Sequence, residues 1–410
     1  MAVAGPLGGV QVIDVTAVLL GPYASVQLAD MGAEVIKVEI PTGDVMRYAG
    51  PYRHWGMSPI FLTTNRNKRS IVLDLKNPAG CSVLLKLITE ADVFLHNMRP
   101  RAIASLGLTY EAMRGLNPRL IYCNAIGFGK AGRYADNAAY DDVVQGAAGI
   151  ARVQEHLAGE PQYAATALGD KTSGLTAALA ICAALYERER SGRGQELEVP
   201  MFEVMVSFML AEHLYGNTFS PQHGPAFYPR QTSPDRKPYR TADGYISIMV
   251  YSDRQWHSFF NLIGRPELAA DPKFTDINAR TEHINEAYSF IAEAALTRTT
   301  DEWLKLLGQA NIPAAKTNTI EDLLSDGHLA DVGMFSLTEH PSEGTIRTIR
   351  NPMIFSETPL RIDRLAPTLG QDTSDVLRRY GYSDTEIAKL GSDGAFGDAE
   401  CADTIDRVQE

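Results

Sequence analysis

Cysteine is scarce in this chain: Cys81, Cys123, Cys182 and Cys401 are scattered, with no CxxC pair and no metal-ligand spacing. That excludes a disulfide-stapled scaffold, gives no reason to expect a metal, and suits a reducing cytoplasm with the thiols as small apolar residues. Long hydrophobic runs are also missing. None reaches the length of a membrane span, and the N-terminus lacks the basic start and apolar segment of a signal peptide. A soluble, cytoplasmic protein without membrane contact is expected. Positive charge is in deficit: 38 Lys and Arg against 50 Asp and Glu leave a formal net charge of −12. Such a surface repels a phosphate backbone, which excludes a general nucleic-acid binder; an anionic ligand would need a local basic patch.

What is present describes a globular protein, 45% hydrophobic and 21% charged over 410 residues, long enough for two domains. The opening alternates as α/β. Residues 10–15 read as a buried strand, Gly21-Pro22 as a break, 23–31 as a helix and 33–39 as a second strand, a unit that normally builds a parallel sheet. Ligands of such sheets bind at the carboxyl ends of strands, so the loop 16–23 is either a contact loop or plain turn chemistry. Residues 65–76 form the densest basic cluster and run into a short strand; the cluster is either solvated surface or an anion site. A helix over 79–90 leads to a strand at 92–95 ending in Asn97, Arg99 and Arg101, whose guanidinium groups match phosphate geometry.

A strand at 120–126 feeds Gly127, Gly129 and Gly132 in a G-x-G-x-x-G pattern. The residues after it are loop-like, where a dinucleotide fingerprint should open an apolar helix, so NAD binding is not expected. Gly169-Asp170 precedes an Ala/Leu-rich run at 175–186 that reads as a buried helix. Asp170 is then either a helix cap or a carboxylate kept ionised by the amides of the first turn. Gly192 marks the stop, 195–199 is a further strand, 201–216 a helix and 219–238 a Pro-rich linker. Asp243-Gly244 between two β-like runs reads as a hairpin, followed by helices at 253–263, 278–295 and 300–310, the last capped by Thr300. The acidic tail, 391–410, is expected to be mobile.

The ordered set Gly21-Pro22, 32–39, Asn67 to Ser70, 73–76, 92–97, 106–111, 117–122, Gly127 to Gly129, Gly169-Asp170, 192–195, 239–244, Asn351-Pro352 and 366–370 resembles the class III CoA-transferases, the group that includes formyl-CoA, crotonobetainyl-CoA and dicarboxylate CoA-transferases. The resemblance implies an α/β fold: a doubly wound, parallel-sheet large domain and a smaller α+β domain, in an interlocked homodimer. The corresponding boundaries are 1–200 for the N-terminal part of the large, CoA-binding domain, 201–225 for a linker, 226–330 for the small domain and 331–410 for a segment returning to the large domain. It implies an acyl-CoA:carboxylate CoA-transferase with a coenzyme A thioester as substrate, a carboxylic acid as acceptor and no permanently bound cofactor. Asp170 is the implied nucleophile, passing through a mixed anhydride and an aspartyl-CoA thioester, with oxyanions held by amides near Gly169 or in a glycine loop. Val18, Leu73, Lys76, Asn97, Met98, Arg99, Arg101, Tyr140 and Asp141 are the implied CoA contacts.

Departures sharpen these expectations. Ser105 stands where many members have Arg, so Arg99 or Arg101 would take the phosphate. Leu19 replaces the Gln of formyl-CoA transferases, which argues against a formyl or oxalyl substrate. Arg47, Arg240 and Lys171 are candidates for holding a second carboxylate of a dicarboxylic acceptor. The alternative within this fold, an α-methylacyl-CoA racemase, would need a His just ahead of Tyr140-Asp141, where Ala138-Ala139 stand.

Overall fold

A computed structural model describes residues 5–397 of the chain. Six short runs rich in Val and Ile form strands: β1 (Gln11–Asp14), β2 (Glu34–Glu39), β3 (Lys68–Val72), β4 (Val93–His96), β5 (Ile121–Ile126) and β6 (Glu196–Pro200). They pair in parallel in the order β3-β2-β1-β4-β5-β6. The near-continuous burial of β1, β2, β4 and β5 is what a sheet covered on both faces demands. From β1 the chain winds outward to β2 and β3; β4 lies on the other side of β1 and winds outward to β5 and β6. The β1/β4 boundary is therefore the topological switch point, where the crevice of an open α/β sheet forms.

The helices follow local signals, with shifts. Gly21-Pro22 does not break the chain: both lie inside a helix, Leu20–Asp30, because a proline in the first turn removes only an N–H that has no helical partner. Asn77 caps the helix Pro78–Glu90. The run at 175–186 is the middle of a helix spanning Leu168–Ser191, stopped by Gly192 at φ 72°. That helix is not buried all round. Gly174, Ala177, Ala178 and Ile181 are buried, while Leu175, Leu179 and Tyr186 are exposed. The small-residue face lies so close to Leu20–Asp30 that a Cβ at Gly174 would sit 2.8 Å from the Leu20 carbonyl oxygen.

The chain divides into two compact units, one of residues 1–148, 165–206 and 330–410, the other of 149–164 and 207–329. The core of the first packs β-strand residues such as Ile13, Ile36, Ile71 and Phe94 against Leu84, Leu87, Ile88 and the C-terminal Val376 and Leu377. Its outer strand is closed by that C-terminal segment: Ser70 donates its N–H to Asp372 Oδ2 at 3.0 Å, Asp372 returns its own N–H to the Ser70 carbonyl at 2.9 Å, and Val72 donates to Thr373 Oγ1 at 3.2 Å. An antiparallel hairpin of β10 (Phe335–His340) and β11 (Gly344–Ile349), not anticipated from the sequence, belongs to the same unit. Of the expected tail, 398–410 lie outside the described residues, but the first part is anchored: Ala395 is fully buried and its carbonyl accepts the Asp74 N–H at 2.8 Å.

The second unit has its own core of Trp256, Phe259, Phe260, Phe274, Trp303 and neighbours. The Asp243-Gly244 hairpin joins β7 (Tyr239–Arg240) to β8 (Tyr245–Ile248), and β9 (Ala314–Lys316) adds a third antiparallel strand. The helix expected over 278–295 is two, Ile277–Glu282 and Ile284–Ala295, parted at His283. The cap of Thr300–Gln309 is Thr299, in a reciprocal box with Glu302, rather than Thr300. Two helices, Asp141–Ala147 in the first unit and Ile150–Ala158 in the second, follow the loop-like residues after Gly132, in a stretch of small and polar residues.

Candidate active site

The loops that leave the carboxyl ends of β1 to β6 all belong to the first unit. Between those after β1 and β2 lies a cavity of about 510 Å³ lined by Val15, Thr16, Ala17, Val38, Ile40, Val45 and Tyr48 among others. Its wall on the β1 side is a loop held from several directions. Asn97, just past β4, accepts the Ala17 N–H on Oδ1 at 3.1 Å and donates Nδ2 to the Ala17 carbonyl at 2.7 Å. Val18 sits at φ 71° and donates its N–H to Asp44 Oδ1 at 3.1 Å.

Asp170 is the third residue of the helix Leu168–Ser191, so it is not the cap; that position is Ala167, whose side chain makes no cap bond. The carboxylate next to it is Asp141, at the start of its own helix, which takes the Asp170 N–H on Oδ1 at 2.9 Å and a Gln145 amide hydrogen on Oδ2 at 2.5 Å. Gly169 closes the group: a Cβ there would lie 3.1 Å from Met201 Sδ and 3.2 Å from Asp141 Oδ1. The helix amides were expected to favour an ionised Asp170. Burial, followed by the Asp141 and Asp142 carboxylates, outweighs them and pushes its pKa up to about 6. The carboxyl is still ionised at neutral pH, and a more basic carboxylate is a better nucleophile.

The remaining implied contacts are placed unevenly. Leu73 is fully buried, backbone included, and donates its N–H to the Glu39 carbonyl at 2.9 Å, so it presents no surface to a ligand. Met98 packs against the core and donates its N–H to His96 Nδ1 at 3.2 Å. Lys76 and Arg99 are exposed, with no ion-pair partner among the described residues. Arg101 is exposed but paired with Asp136 at 2.9 Å. Tyr140, 66% exposed, flanks Asp141 at the head of that helix.

Two expectations from charge are overturned. Apart from Lys76, the basic cluster at 65–76 is not an open patch: Arg66 forks onto Asp30 at 3.1 and 2.6 Å, Lys68 is buried against Asp14, Asn65 and the Pro22 carbonyl, and Arg69 meets Glu34 and Asp372. Alternation along β3 sends Lys68 and Arg69 to opposite faces of the sheet, Arg66 lies just ahead of the strand, and each finds a partner. Arg47 is likewise unavailable to a substrate carboxylate. It is buried, bound at two points to Glu39 at 2.8 and 2.7 Å, and stacked 3.7 Å above Phe61. Lys171 bonds Thr166, and Arg240 lies on β7 in the second unit. In the glycine loop, the Gly129 and Lys130 amides are taken by Glu203 and Glu198 at 3.0 and 2.8 Å, so neither is free to hold an oxyanion. No helix opens after that loop until Asp141, whereas a dinucleotide fingerprint opens one directly.

Among the described residues, no helix is long and apolar enough to cross a membrane and no cluster of His, Cys, Asp and Glu could hold a metal ion. The model of CoA-transferase family III matches residues 7–373. The succinate–glutarate CoA-transferase of Agrobacterium fabrum is 36% identical over 91% of this chain and 95% of its own length. A formyl-CoA:oxalate CoA-transferase of Streptomyces avermitilis is 33% identical over 95% and 99%. A crystal structure of a CAIB/BAIF family protein from Brucella suis superimposes with a TM-score of 0.77 at 30% identity, covering 92% of this chain and all of that one. A parallel sheet with its switch point at the β1/β4 boundary, a sheltered aspartate at a helix start and these relatives along nearly the whole length agree: the chain belongs to CoA-transferase family III and is a CoA-transferase.

Proposed function

We propose that this enzyme moves coenzyme A from an acyl-CoA donor to a carboxylic acid, with Asp170 as the covalent nucleophile. The observation that carries the reading is the setting of Asp170: partly sheltered from water at the start of a helix, with a pKa near 6. An Asp170 carboxylate oxygen attacks the thioester carbonyl, the C–S bond breaks, and CoA thiolate leaves a mixed anhydride. The thiolate then attacks the aspartyl carbonyl, releasing the donor acid as its carboxylate and leaving an aspartyl-CoA thioester. The acceptor carboxylate attacks that carbonyl and expels the thiolate again. Attack of the thiolate on the acceptor's acyl carbon gives the new acyl-CoA and frees Asp170. Each stage passes through an oxyanion. With the Asp170 amide on Asp141 and the glycine-loop amides on glutamates, the donors nearest Asp170 that remain are the Leu168 and Gly169 N–H groups.

The large unit is the CoA-binding part, with the donor lying along the carboxyl ends of the sheet. Arg99 and Lys76, which have no ion-pair partner among the described residues, take its phosphates; Arg101 is already engaged. Val18 flanks it, and Tyr140 faces the reacting end beside Asp141. A dicarboxylic acceptor is favoured by the relatives named for succinate and glutarate. A homodimer, interlocked as in the family, would cover the exposed Leu175, Leu179 and Tyr186. Asp170→Ala is expected to abolish exchange between succinyl-CoA and glutarate while CoA still binds, and mass spectrometry of the wild-type enzyme during turnover should find a CoA adduct on Asp170. Transfer surviving in Asp170→Ala would remove the nucleophile from this scheme.

A further inference from the structure

We infer that Asn97, Asp44 and Lys37 are positioning residues that hold the 16–18 backbone, the β1-side wall of the cavity, in a conformation it would not keep by itself; Asn97 acts through Ala17 rather than by touching the donor. The role given to the wall rests on the donor-binding reading above.

Five consecutive backbone groups of this loop are held by side chains. The Thr16 N–H goes to Asp14 Oδ1 at 2.9 Å, and the Thr16 carbonyl accepts Lys37 Nζ at 2.9 Å. Asn97 brackets both the N–H and the carbonyl of Ala17, and Asp44 takes the Val18 N–H. Lys37 and Asp44 are themselves paired at 2.9 Å and buried, so two of the four anchors form one unit. The loop crosses the switch point, where β1 and β4 send their connections to opposite sides and no strand ladder continues to hold them together. Asn97 supplies that missing link across the gap.

The conformation being held is an unfavourable one. Val18 has φ 71°, a region that β-branched residues avoid because Cβ crowds the backbone. Released, Val18 would move to an extended φ and carry Ala17, a lining residue of the cavity, with it. The two ends of the Asn97 amide, which would otherwise read a ligand, both face Ala17. A side chain so arranged shapes the wall that the ligand meets.

The test pairs hydrogen exchange on the ligand-free protein with calorimetric binding of coenzyme A. In Asn97→Ala, the Ala17 and Val18 amides should exchange at least about tenfold faster, and coenzyme A should bind roughly tenfold or more weakly, the scale of one or two lost hydrogen bonds. Asn97→Asp keeps the acceptor for the Ala17 N–H, loses the donor to its carbonyl, and should fall between; it also serves if Asn97→Ala does not fold. The deciding variant is Val18→Gly, since glycine takes a positive φ without crowding. Adding Asn97→Ala to Val18→Gly should cost no more than about threefold in binding, because the strain Asn97 opposes is gone. If the two losses multiply instead, Asn97 contacts the ligand directly and the inference is overturned. Unchanged exchange at 17 and 18 in Asn97→Ala overturns it as well. Wild-type protein that binds no coenzyme A overturns the donor reading, while the exchange rates still decide the clamp.

Discussion

The Oδ1 atom of Asp141 accepts the backbone N–H of Asp170 at 2.9 Å. One carboxylate thus supplies the cap that Ala167 cannot give to the helix Leu168–Ser191, and presses its negative charge on the nucleophile proposed here. The two effects separate by substitution. Asp141→Asn keeps an acceptor and removes the charge, so the acid edge of kcat/KM against pH, expected near 6, should move down by roughly half to one unit. Asp141→Ala loses the cap too and should lower stability by about 1 kcal/mol in chemical denaturation.

Asp170 itself should trade activity against stability. Its folded pKa is raised from 3.8 to about 6, so its contribution to stability is full below pH 3.8 and lost as pH rises through about 6. At pH 8 the wild type carries a sheltered charge that Asp170→Asn does not. The variant should be inactive yet more stable by about 1–3 kcal/mol at pH 8, with the gap closing at pH 4. Urea denaturation at the two pH values measures it; equal stability at pH 8 would contradict the sheltered setting.

Two glycines of one helix should respond unequally to alanine. At Gly174 the new methyl meets a backbone oxygen, that of Leu20, at 2.8 Å. Gly174→Ala must push two helices apart and should cost about 1–3 kcal/mol. At Gly169 the nearest atom is Met201 Sδ at 3.1 Å, on a flexible side chain that can yield. Gly169→Ala should cost less stability but lower kcat, because it displaces Met201 and Asp141 beside the reacting carboxylate. Thermal midpoints and steady-state rates distinguish the pair.

Three arginines should fall into three classes. Arg99→Ala is expected to raise KM for an acyl-CoA roughly tenfold, the order of one charge-assisted hydrogen bond, with less effect on a donor lacking the 3′-phosphate. Arg101→Ala, exposed and paired with Asp136, should change KM by less than threefold or so. Arg47→Met leaves Glu39 buried and unpaired, and should cost about 3–5 kcal/mol in stability without changing acceptor preference.

Much of the sheet was legible because buried parallel strands write themselves as short Val/Ile runs; the strands at β1, β2, β4 and β5 fall within a residue or two of their expected places. The Asp243-Gly244 hairpin was legible for its turn residues. Charge was less so. Arg47 and Lys68 look like surface cations in one dimension, and only the sheet's alternation and crossing connections bring Glu39 and Asp14 to them. The Asp141 to Asp170 bond spans 29 residues with two helices' starts involved, so no local pattern announces it. A cap was anticipated at Asp170, and one exists, but it comes from another helix. The hairpin of β10 and β11 lacked a tight-turn dipeptide, and its strands are half exposed, which leaves little periodic signal.

Closing β3 with Asp372 and Thr373 places a demand on synthesis. The two residues that exchange backbone and carboxylate bonds, Ser70 and Asp372, are 302 positions apart. At about 5–20 residues per second, a ribosome reaches Asp372 roughly 15–60 s after Ser70 has been made. Through that interval the outer edge of β3 emerges with N–H groups and no partner, the condition under which strands recruit one another. The early sheet must wait as a nascent chain, and a cell slow in translating the last part of the message, or a message truncated there, would deliver an unsealed edge to chaperones.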